Sequence, residues 1–335
     1  MSAPVVRTEH LTVQFHTDEG LITAVDDIAF EIQPGEVLGL VGESGSGKSV
    51  TAKALMQLNP QNTVYAPESE IALAHDGVEI DVLALCRPRD LMVVRGGAVS
   101  MIFQEPMASF APALTIGQQM VEQLRLHSDI SKRAARSLSI EMLERVGISD
   151  ASKRIDQYAF EFSGGMRQRA MIAMALSTRP TLLIADEPTT ALDVTIQAQV
   201  IDLMKDLVAE YDMAILFITH DLGVIAQTAN RVAVMYLGRV VETGTVRDVL
   251  RAPAHPYTQG LIKALPKLDA LDEPLTPIPG DIPSPLERPT GCVFHTRCDR
   301  AIPGTCDAQR PVQIRVEDGH EAACFLLSTP GQEAT

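Results

Sequence analysis

The sequence has no tryptophan, few aromatic residues, no excess of positive charge and no long apolar run. Since a membrane-spanning helix needs about 20 consecutive apolar residues, we expect no transmembrane helix. The net charge of −15 argues against nucleic acid as a partner, because phosphate contacts require a basic surface. The N-terminal segment also lacks the apolar core of a secretory signal. We therefore expect any role at a membrane to be exercised from the cytoplasmic side, through partner subunits.

The order of apolar patterns along the chain predicts an α/β protein. Apolar and polar residues alternate over the N-terminal region, which predicts antiparallel strands with one buried face. Short apolar runs at 182–185 and 214–218 flank a predicted helix at 196–211, and helical spacing is frequent within 115–180. Strands that alternate with helices are typical of a mostly parallel sheet covered on both faces.

The composition changes after about residue 250. Prolines are frequent between Pro253 and Pro289, and four of the five cysteines follow them. With 335 residues the chain can form one sizeable domain with an appendage, or two modest domains. We predict a loop-rich extension at this end of the chain, because proline interrupts both helices and strands.

A glycine-rich loop follows an apolar segment of strand length at 36–41 and precedes a predicted helix at 49–58. It matches the phosphate-binding pattern G-x-x-x-x-G-K-[ST] with Gly42, Glu43, Ser44, Gly45, Ser46, Gly47, Lys48 and Ser49. Glycines let successive backbone N–H groups face phosphate oxygens, and the helix that begins near Lys48 adds the positive end of its dipole. We expect Lys48 to reach the β- and γ-phosphates and the Ser49 hydroxyl to bind Mg²⁺. A chance match in a Gly/Ser-rich turn is the alternative, and the strand before the loop and the helix after it argue against that.

Two carboxylates end the apolar run at 182–185. We expect Asp186 to hold Mg²⁺ through its water shell. Glu187 would polarise the water that attacks the γ-phosphate, as general base or as a positioning group. The alternative is a solvated strand end, which the apolar run and the upstream loop together disfavour.

The segment 162–169 reads Phe-Ser-Gly-Gly-Met-Arg-Gln-Arg. It strongly resembles the signature motif of ABC ATPases, usually Leu-Ser-Gly-Gly-Gln, with Phe162 and Met166 as departures that keep the Ser-Gly-Gly unit. In this family two ATPase subunits meet head to tail, and the signature of one acts on ATP held by the other. The resemblance assigns that role to Ser163, Gly164, Gly165 and Met166.

The remaining family motifs follow in order. Gln104 resembles the Q-loop glutamine, which senses the γ-phosphate and Mg²⁺ and touches the membrane subunits. Asp193 resembles the D-loop aspartate of the dimer, and His220 resembles the switch histidine that contacts the γ-phosphate. Phe15 could stack on adenine, as the family's A-loop aromatic does, or be a buried aromatic of a sheet. Val50, after the loop, offers a backbone amide but no hydroxyl.

The resemblance covers roughly residues 5–325 and implies both cofactors and fold. It implies ATP as the nucleotide, Mg²⁺ held by Ser49, Gln104 and Asp186, and catalysis by Glu187, His220 and Gln104. The implied fold is a RecA-like P-loop NTPase core with a mostly parallel sheet, an antiparallel β subdomain and a helical subdomain at about 105–180. We assign 1–250 to the ATPase domain and 251–335 to the extension.

The compact single unit resembles an importer ATPase whose membrane subunits are separate chains. A translation-type ABC protein would carry two phosphate loops, and this sequence has one. A DNA-repair ATPase would contain long coiled coils, and an exporter half would contain fused membrane helices. A soluble non-transport ABC ATPase is a disfavoured alternative. The importer resemblance implies two permease subunits, a second ATPase subunit that is usually a related but different chain, and an extracytoplasmic solute-binding protein. It places the chain at the cytoplasmic face of the inner membrane.

The segment His255-Pro256-Tyr257-Thr258 resembles the extension of oligopeptide/dipeptide importer ATPases. That group also serves nickel, opines, glutathione and some oligosaccharides, so peptide is our prediction and the others are alternatives. The ATPase subunit does not contact the cargo, and its sequence cannot decide among them.

Four cysteines of the extension, Cys292, Cys298, Cys306 and Cys324, follow neither paired CxxC nor ferredoxin spacing. In a reducing cytosol clustered cysteines suggest metal or redox chemistry. Some peptide-importer ATPases with similar Gly-Cys-x-Phe and Gly-His-x-x-x-Cys segments hold a [4Fe–4S] cluster there, and soft thiolates suit iron–sulfur or zinc. We therefore expect a [4Fe–4S] cluster, with zinc or four metal-free thiols as alternatives.

Overall fold

The computed structural model describes residues 3–104, 109–188, 194–265 and 277–327. The strands are β1 (Val6–Thr17), β2 (Gly20–Ile32), β3 (Val37–Val41), β4 (Thr63–Tyr65), β5 (Glu70–His75), β6 (Val78–Asp81), β7 (Val99–Ile102), β8 (Leu182–Asp186), β9 (Ala214–Ile218), β10 (Arg231–Tyr236), β11 (Arg239–Thr245), β12 (Ile314–Glu317) and β13 (His320–Ala322). The helices are α1 (Lys48–Ala54), α2 (Pro88–Val94), α3 (Ile116–His127), α4 (Lys132–Arg145), α5 (Ala151–Arg154), α6 (Gly164–Ser177), α7 (Val194–Tyr211), α8 (Leu222–Thr228), α9 (Val246–Arg251) and α10 (Pro256–Lys263).

The predicted antiparallel strands form a sheet in the order β2-β1-β5-β6, with β4 also paired to β1. β1 and β2 pair along nearly their whole length, from Val6 opposite Ile32 to Thr17 opposite Gly20. Leu11 and Val13 are fully buried and belong to a core shared with α1 and the main sheet. This sheet therefore packs against α1 and one face of the main sheet.

The main sheet has the strand order β12-β13-β11-β10-β3-β9-β8-β7. All neighbours from β10 to β7 run parallel, which confirms the predicted mostly parallel sheet. β3, β8 and β9 are buried at every position, as strands covered on both faces must be. These three strands are adjacent, so the polar residues after their carboxyl ends meet at one edge of the sheet.

Helices α3, α4, α5 and α6 form the predicted helical region. α3 begins with a capping box, in which the Thr115 side chain accepts from the Gln118 backbone N–H. Buried apolar residues, among them Met120, Leu143 and Phe162, pack these helices together. In the described ranges no helix combines the length and apolar character needed to cross a bilayer.

The C-terminal extension is built into the main sheet. β13 pairs antiparallel with β11, with Glu242 opposite Ala322, and β12 pairs with β13. The fully buried Glu242 carboxylate accepts from the backbone N–H groups of Ala254 (2.8 Å) and His255 (2.9 Å) and from His320 Nε2 (2.8 Å). The sequence patterns missed this pairing, and the domain boundary near residue 250 stays a prediction.

An aromatic cluster joins the C-terminal extension to strand β10 of the main sheet. The Tyr236 ring, at the end of β10, lies 4.7 Å from the Tyr257 ring and 5.2 Å from the Phe294 ring between centroids. His255 caps α10 by accepting the Tyr257 backbone N–H at Nδ1 (3.0 Å). The His-Pro-Tyr segment thus begins a helix whose first turn is buried against β10.

The burial of His255 predicts an acid-sensitive fold. Desolvation, with Arg300 nearby, lowers the pKa of His255 from 6.5 to about 3. Protons therefore bind the unfolded chain preferentially between these values, so stability from this group is complete above pH 6.5 and is lost as the pH falls toward 3. We expect His255→Asn, which keeps a capping acceptor, to reduce the slope of unfolding free energy against pH by up to about 1.4 kcal/mol per pH unit.

Urea titrations between pH 4.5 and 7.5 measure that slope. His16→Asn removes an exposed histidine of β1 and is the matched control, which should retain the wild-type slope. Equal slopes for wild type and His255→Asn would contradict the prediction.

Candidate functional site

The glycine-rich loop connects β3 to α1, as predicted. A Cβ atom on Gly42 would lie 2.2 Å from the carbonyl oxygen of Met235. A Cβ atom on Gly47 would lie 2.6 Å from the carbonyl oxygen of Ala24. Gly42 has φ +154° and Gly47 has φ +103°, which side chains rarely adopt. Only glycine therefore fits both ends of the loop.

Lys48 is buried beneath this loop. Its Nζ donates to the carbonyl oxygens of Gly42 (2.8 Å) and Glu43 (2.9 Å) and lies 3.3 Å from Ser46 Oγ. Burial lowers the pKa of Lys48, whereas the carboxylates of Glu187, Asp186 and Glu43 oppose that change. Ser44 and Gly45, at the tip of the loop, are exposed and accessible to a ligand.

Ser49 and Asp186 lie side by side, although 137 residues separate them. The Ser49 hydroxyl donates to Asp186 Oδ1 at 3.1 Å. Burial raises the pKa of Asp186, and the hydrogen bond from Ser49 opposes this. A hydroxyl and a carboxylate at one point, beside a phosphate loop, are oxygen ligands that suit Mg²⁺.

Gln104, Glu187 and His220 converge on one another. Gln104 Nε2 donates to Glu187 Oε2 at 2.9 Å, and His220 Nδ1 lies 3.0 Å from Glu187 Oε1. Glu187 has φ +48°, a costly backbone conformation for a residue with a side chain. Its backbone N–H donates to the carbonyl oxygen of Ile218 at 2.9 Å. Gln104 and His220 therefore hold the predicted catalytic carboxylate through both of its oxygens.

The signature segment begins helix α6. The Ser163 side chain accepts from the Met166 backbone N–H at 3.3 Å and caps the helix. Ser163 and Gly164 are exposed, and a Cβ on Gly164 would meet nothing within 4 Å. The helix N-terminus is thus open to an anionic ligand from outside the chain.

Sequence reasoning missed one link between α6 and the segment that follows β8. Buried Gln168, on α6, donates from Nε2 to the carbonyl oxygen of Pro188, the residue after Glu187. The only signal was a polar residue on an otherwise apolar helix face.

The other predicted residues have simpler surroundings. Phe15 is partly buried on β1, opposite Ile22 and Thr63, so both interpretations of this aromatic remain open. Val50 is partly buried on α1. Asp193 lies outside the described residues.

The four C-terminal cysteines are free thiols, and Cys292, Cys306 and Cys324 are buried. The Ile302 backbone N–H donates to Cys306 Sγ at 3.3 Å, and the Cys292 backbone N–H donates to the Cys306 carbonyl oxygen at 2.8 Å. Burial raises the pKa of Cys292 to about 11. Across the part of the chain that the structure describes, no group of three or more His, Cys, Asp or Glu residues is arranged to hold a metal ion. The expected iron–sulfur cluster is therefore not supported by the positions of these side chains.

Two families match this chain. The family described as ABC transporter matches residues 25–190, and the family described as oligopeptide/dipeptide transporter, C-terminal region, matches residues 241–306. The second match covers most of β11, all of α10 and three of the four C-terminal cysteines.

Relatives match over nearly the full length. A protein of Brucella abortus (strain 2308), named a peptide import ATP-binding protein, is 47% identical to this chain. The aligned region covers 96% of this chain and 97% of the Brucella protein. A similarly named protein of Brucella suis biovar 1 (strain 1330) is 46% identical over 96% of this chain and 95% of its own.

A solved structure shares the fold. A dimer of the ATP-binding cassette MJ0796, with ADP and phosphate bound, superimposes with a TM-score of 0.63 and 25% identity over 72% of this chain and 99% of that one. Together with the geometry above, these likenesses mean that the chain belongs to the ATPases of ABC transporters, in the branch that carries the oligopeptide/dipeptide transporter C-terminal region.

Proposed function

We propose that this chain is the ATP-hydrolysing subunit of a membrane importer for di- or oligopeptides. The observation that carries the proposal is the oligopeptide/dipeptide transporter region at residues 241–306, behind an ABC match at 25–190. Relatives of the same length and architecture are named peptide import ATP-binding proteins. Nickel, opine, glutathione or oligosaccharide import would use the same ATPase chemistry with another cargo.

The phosphates of ATP would bind in the loop of residues 42–49, beside the N-terminus of α1 and the Lys48 ammonium. The paired Ser49 hydroxyl and Asp186 carboxylate, 3.1 Å apart, support Mg²⁺ binding here, with Gln104 as a further oxygen ligand. Bound Mg²⁺ would neutralise charge on the β- and γ-phosphates. Phe15 would contact adenine, and the Val50 backbone N–H would lie near the phosphates.

Glu187 would activate the water for hydrolysis. Its carboxylate is held by contacts to Gln104 and His220 and therefore keeps one orientation at the end of β8. The water oxygen forms a bond to the γ-phosphorus as its proton passes to Glu187, and the bond from the γ-phosphorus to the bridging oxygen breaks to release ADP and phosphate. His220, exposed beside Glu187, would donate to the γ-phosphate.

A second ATPase subunit would complete the site. Ser163 and Gly164 are exposed at the start of α6 and would meet ATP bound to the partner, with Gly165 and Met166 beside them. Asp193 would lie in the same interface. We expect the partner to be a related ATPase, with two permease subunits in the membrane and an extracytoplasmic solute-binding protein upstream. The complex would hold this chain at the cytoplasmic face of the inner membrane.

Reconstitution tests this proposal. The chain, its permeases and its partner ATPase are placed in proteoliposomes with the solute-binding protein, and uptake of labelled di- and oligopeptides is measured with ATP present. We expect peptide uptake that depends on ATP and on the peptide-loaded binding protein. Uptake of nickel, opine, glutathione or oligosaccharide without peptide uptake would reject the peptide assignment. ATP hydrolysis that never responds to any loaded binding protein would reject a role in import.

The proposal extends to the four C-terminal cysteines, which we expect to hold a [4Fe–4S] cluster. A cluster binds each cysteine through a different iron, so its ligands lie farther apart than the ligands of a single ion. Three of the four cysteines are buried, and the Ile302 backbone N–H donates to Cys306 Sγ at 3.3 Å, a contact of the kind that surrounds cluster ligands. A bound cluster would supply a redox centre or a cross-link within the extension.

Anaerobic purification tests the cluster. We expect visible absorbance with about four irons and four labile sulfides per chain, and loss of both in Cys298→Ser. The exposed Cys86 provides the control, because Cys86→Ser should retain the wild-type iron content. Stoichiometric zinc without sulfide, or protein without either metal, would contradict the assignment.

A further inference from the structure

The C-terminal extension contacts the phosphate loop directly. Arg297 lies in a short 3₁₀ helix, His295–Arg297, between Cys292 and Cys298. Its Nη1 is 2.7 Å from Glu43 Oε2 and its Nη2 is 3.2 Å from Glu43 Oε1. This two-point contact joins residues 254 positions apart, and one of them, Glu43, is the second residue of the glycine-rich loop.

The Arg297 side chain is itself rigidly held. It is 4% exposed, its Nε donates to the Pro279 carbonyl oxygen at 3.0 Å, and its guanidinium lies over the Tyr236 ring at 5.7 Å. Burial lowers the pKa of Arg297, but the hydrogen bonds to Glu43 and Tyr236 have the larger effect, so the pKa is raised. Arg297 therefore remains a cation and presents a fixed pair of donors to the loop.

A second residue of the extension holds the Glu43 backbone. The buried Tyr257 hydroxyl accepts the Glu43 backbone N–H at 2.8 Å. This N–H is therefore engaged with the extension, although the loop pattern assigned it to phosphate. The Glu43 carbonyl oxygen in turn accepts from Lys48 Nζ at 2.9 Å. Contacts thus run from Arg297 and Tyr257 through Glu43 to the lysine that would bind phosphate.

We propose that Arg297 and Tyr257 are positioning residues for the phosphate loop, so that the extension forms part of the nucleotide site. This inference rests on the proposed function, in which the loop 42–49 holds the phosphates of ATP. Without the extension's contacts, Glu43 can leave its position, and the backbone carbonyls that orient Lys48 move with it. Binding of ATP would then include the cost of ordering the loop.

The test separates ATP affinity from catalytic rate. Dissociation constants for a fluorescent ATP analogue, and KM and kcat in the permease complex, are measured for Glu43→Gln, Arg297→Gln and the double variant. We expect each single variant to weaken ATP binding and raise KM about tenfold, the scale of a charge-assisted hydrogen bond, with kcat changed by less than about twofold. The double variant should be no weaker than either single variant, because one contact is lost in all three.

Two further variants complete the design. Tyr257→Phe removes only the hydroxyl and should raise KM by about threefold. Arg315→Gln alters an exposed arginine of the same extension, paired with Asp318, and should match the wild type. Arg297→Lys, which keeps the charge but loses the paired donors, should recover only part of the affinity.

The outcomes are distinguishable. ATP affinity at the wild-type value in both Glu43→Gln and Tyr257→Phe would overturn the inference, even if Arg297→Gln fails to fold. Additive losses in the double variant would overturn it as well, because they would mean that Glu43 and Arg297 act independently. Lys48→Ala is the reference for the underlying function: retained ATP binding there would reject the proposed phosphate site itself, whatever the Arg297 result.

Discussion

Glu187→Gln is expected to bind ATP normally and to hydrolyse it at least about 100-fold more slowly than the wild type, the usual contribution of a general base. Glutamine has nearly the same shape and can still accept from Gln104 Nε2, which lies 2.9 Å from the carboxylate. It cannot take a proton from water. The phosphate loop and the Ser49–Asp186 pair are unchanged, so nucleotide affinity should be preserved.

Stopped hydrolysis with retained binding should also trap the ATP-bound pair of subunits. Size-exclusion chromatography of Glu187→Gln with its partner ATPase, ATP and Mg²⁺ should then detect a stable ATPase pair, which we expect the wild type to form only transiently. The control is Glu141→Gln on α4, an exposed carboxylate that should leave turnover unchanged. Turnover at the wild-type rate in Glu187→Gln would remove Glu187 from the catalytic step and transfer that role to another group.

Lys48→Ala is expected to weaken ATP binding by about 100-fold or more, the scale of removing one partner from a buried charged contact. Lys48 is the cation whose Nζ lies beneath the loop, 2.8 Å from the Gly42 carbonyl oxygen. Without it, the negative charges of Glu187 and Asp186 remain and would repel the triphosphate. The loop backbone should keep its conformation, because that conformation depends on Gly42 and Gly47.

Equilibrium binding of a fluorescent ATP analogue measures this loss, and thermal unfolding checks that the variant is folded. Lys205→Ala changes an exposed lysine on α7 and should bind as the wild type does. Tight binding by folded Lys48→Ala would contradict the role assigned to the loop.

Local motifs and strand order made much of the site predictable. The phosphate loop and the Asp186–Glu187 pair each lie within a few residues of a buried strand, so the sequence contains both the geometry and the chemistry. The meeting of Glu187 with His220 follows from the parallel pairing of β8 and β9, since carboxyl ends of neighbouring parallel strands share an edge. The roles of these residues remain predictions, although the structure brings them together.

The contacts of the extension could not be predicted in the same way. The Arg297–Glu43 pair spans 254 residues, and no periodic pattern encodes a partner at that distance. β13 has three residues, too few to show alternation, yet it continues the main sheet. Tyr257 was recognised as part of a family segment, but its hydroxyl contact to the Glu43 backbone depends on how α10 packs against β10.

The pairing of Glu242 with His320 has a consequence for the order in which the protein is made. Glu242 is synthesised 78 residues before its partner, which at about 5–20 residues per second corresponds to about 4–16 s on the ribosome. Throughout that interval β11 is an open sheet edge, with a carboxylate destined for the interior still without its histidine. A chain that ends within this window would have a main sheet without β12 and β13.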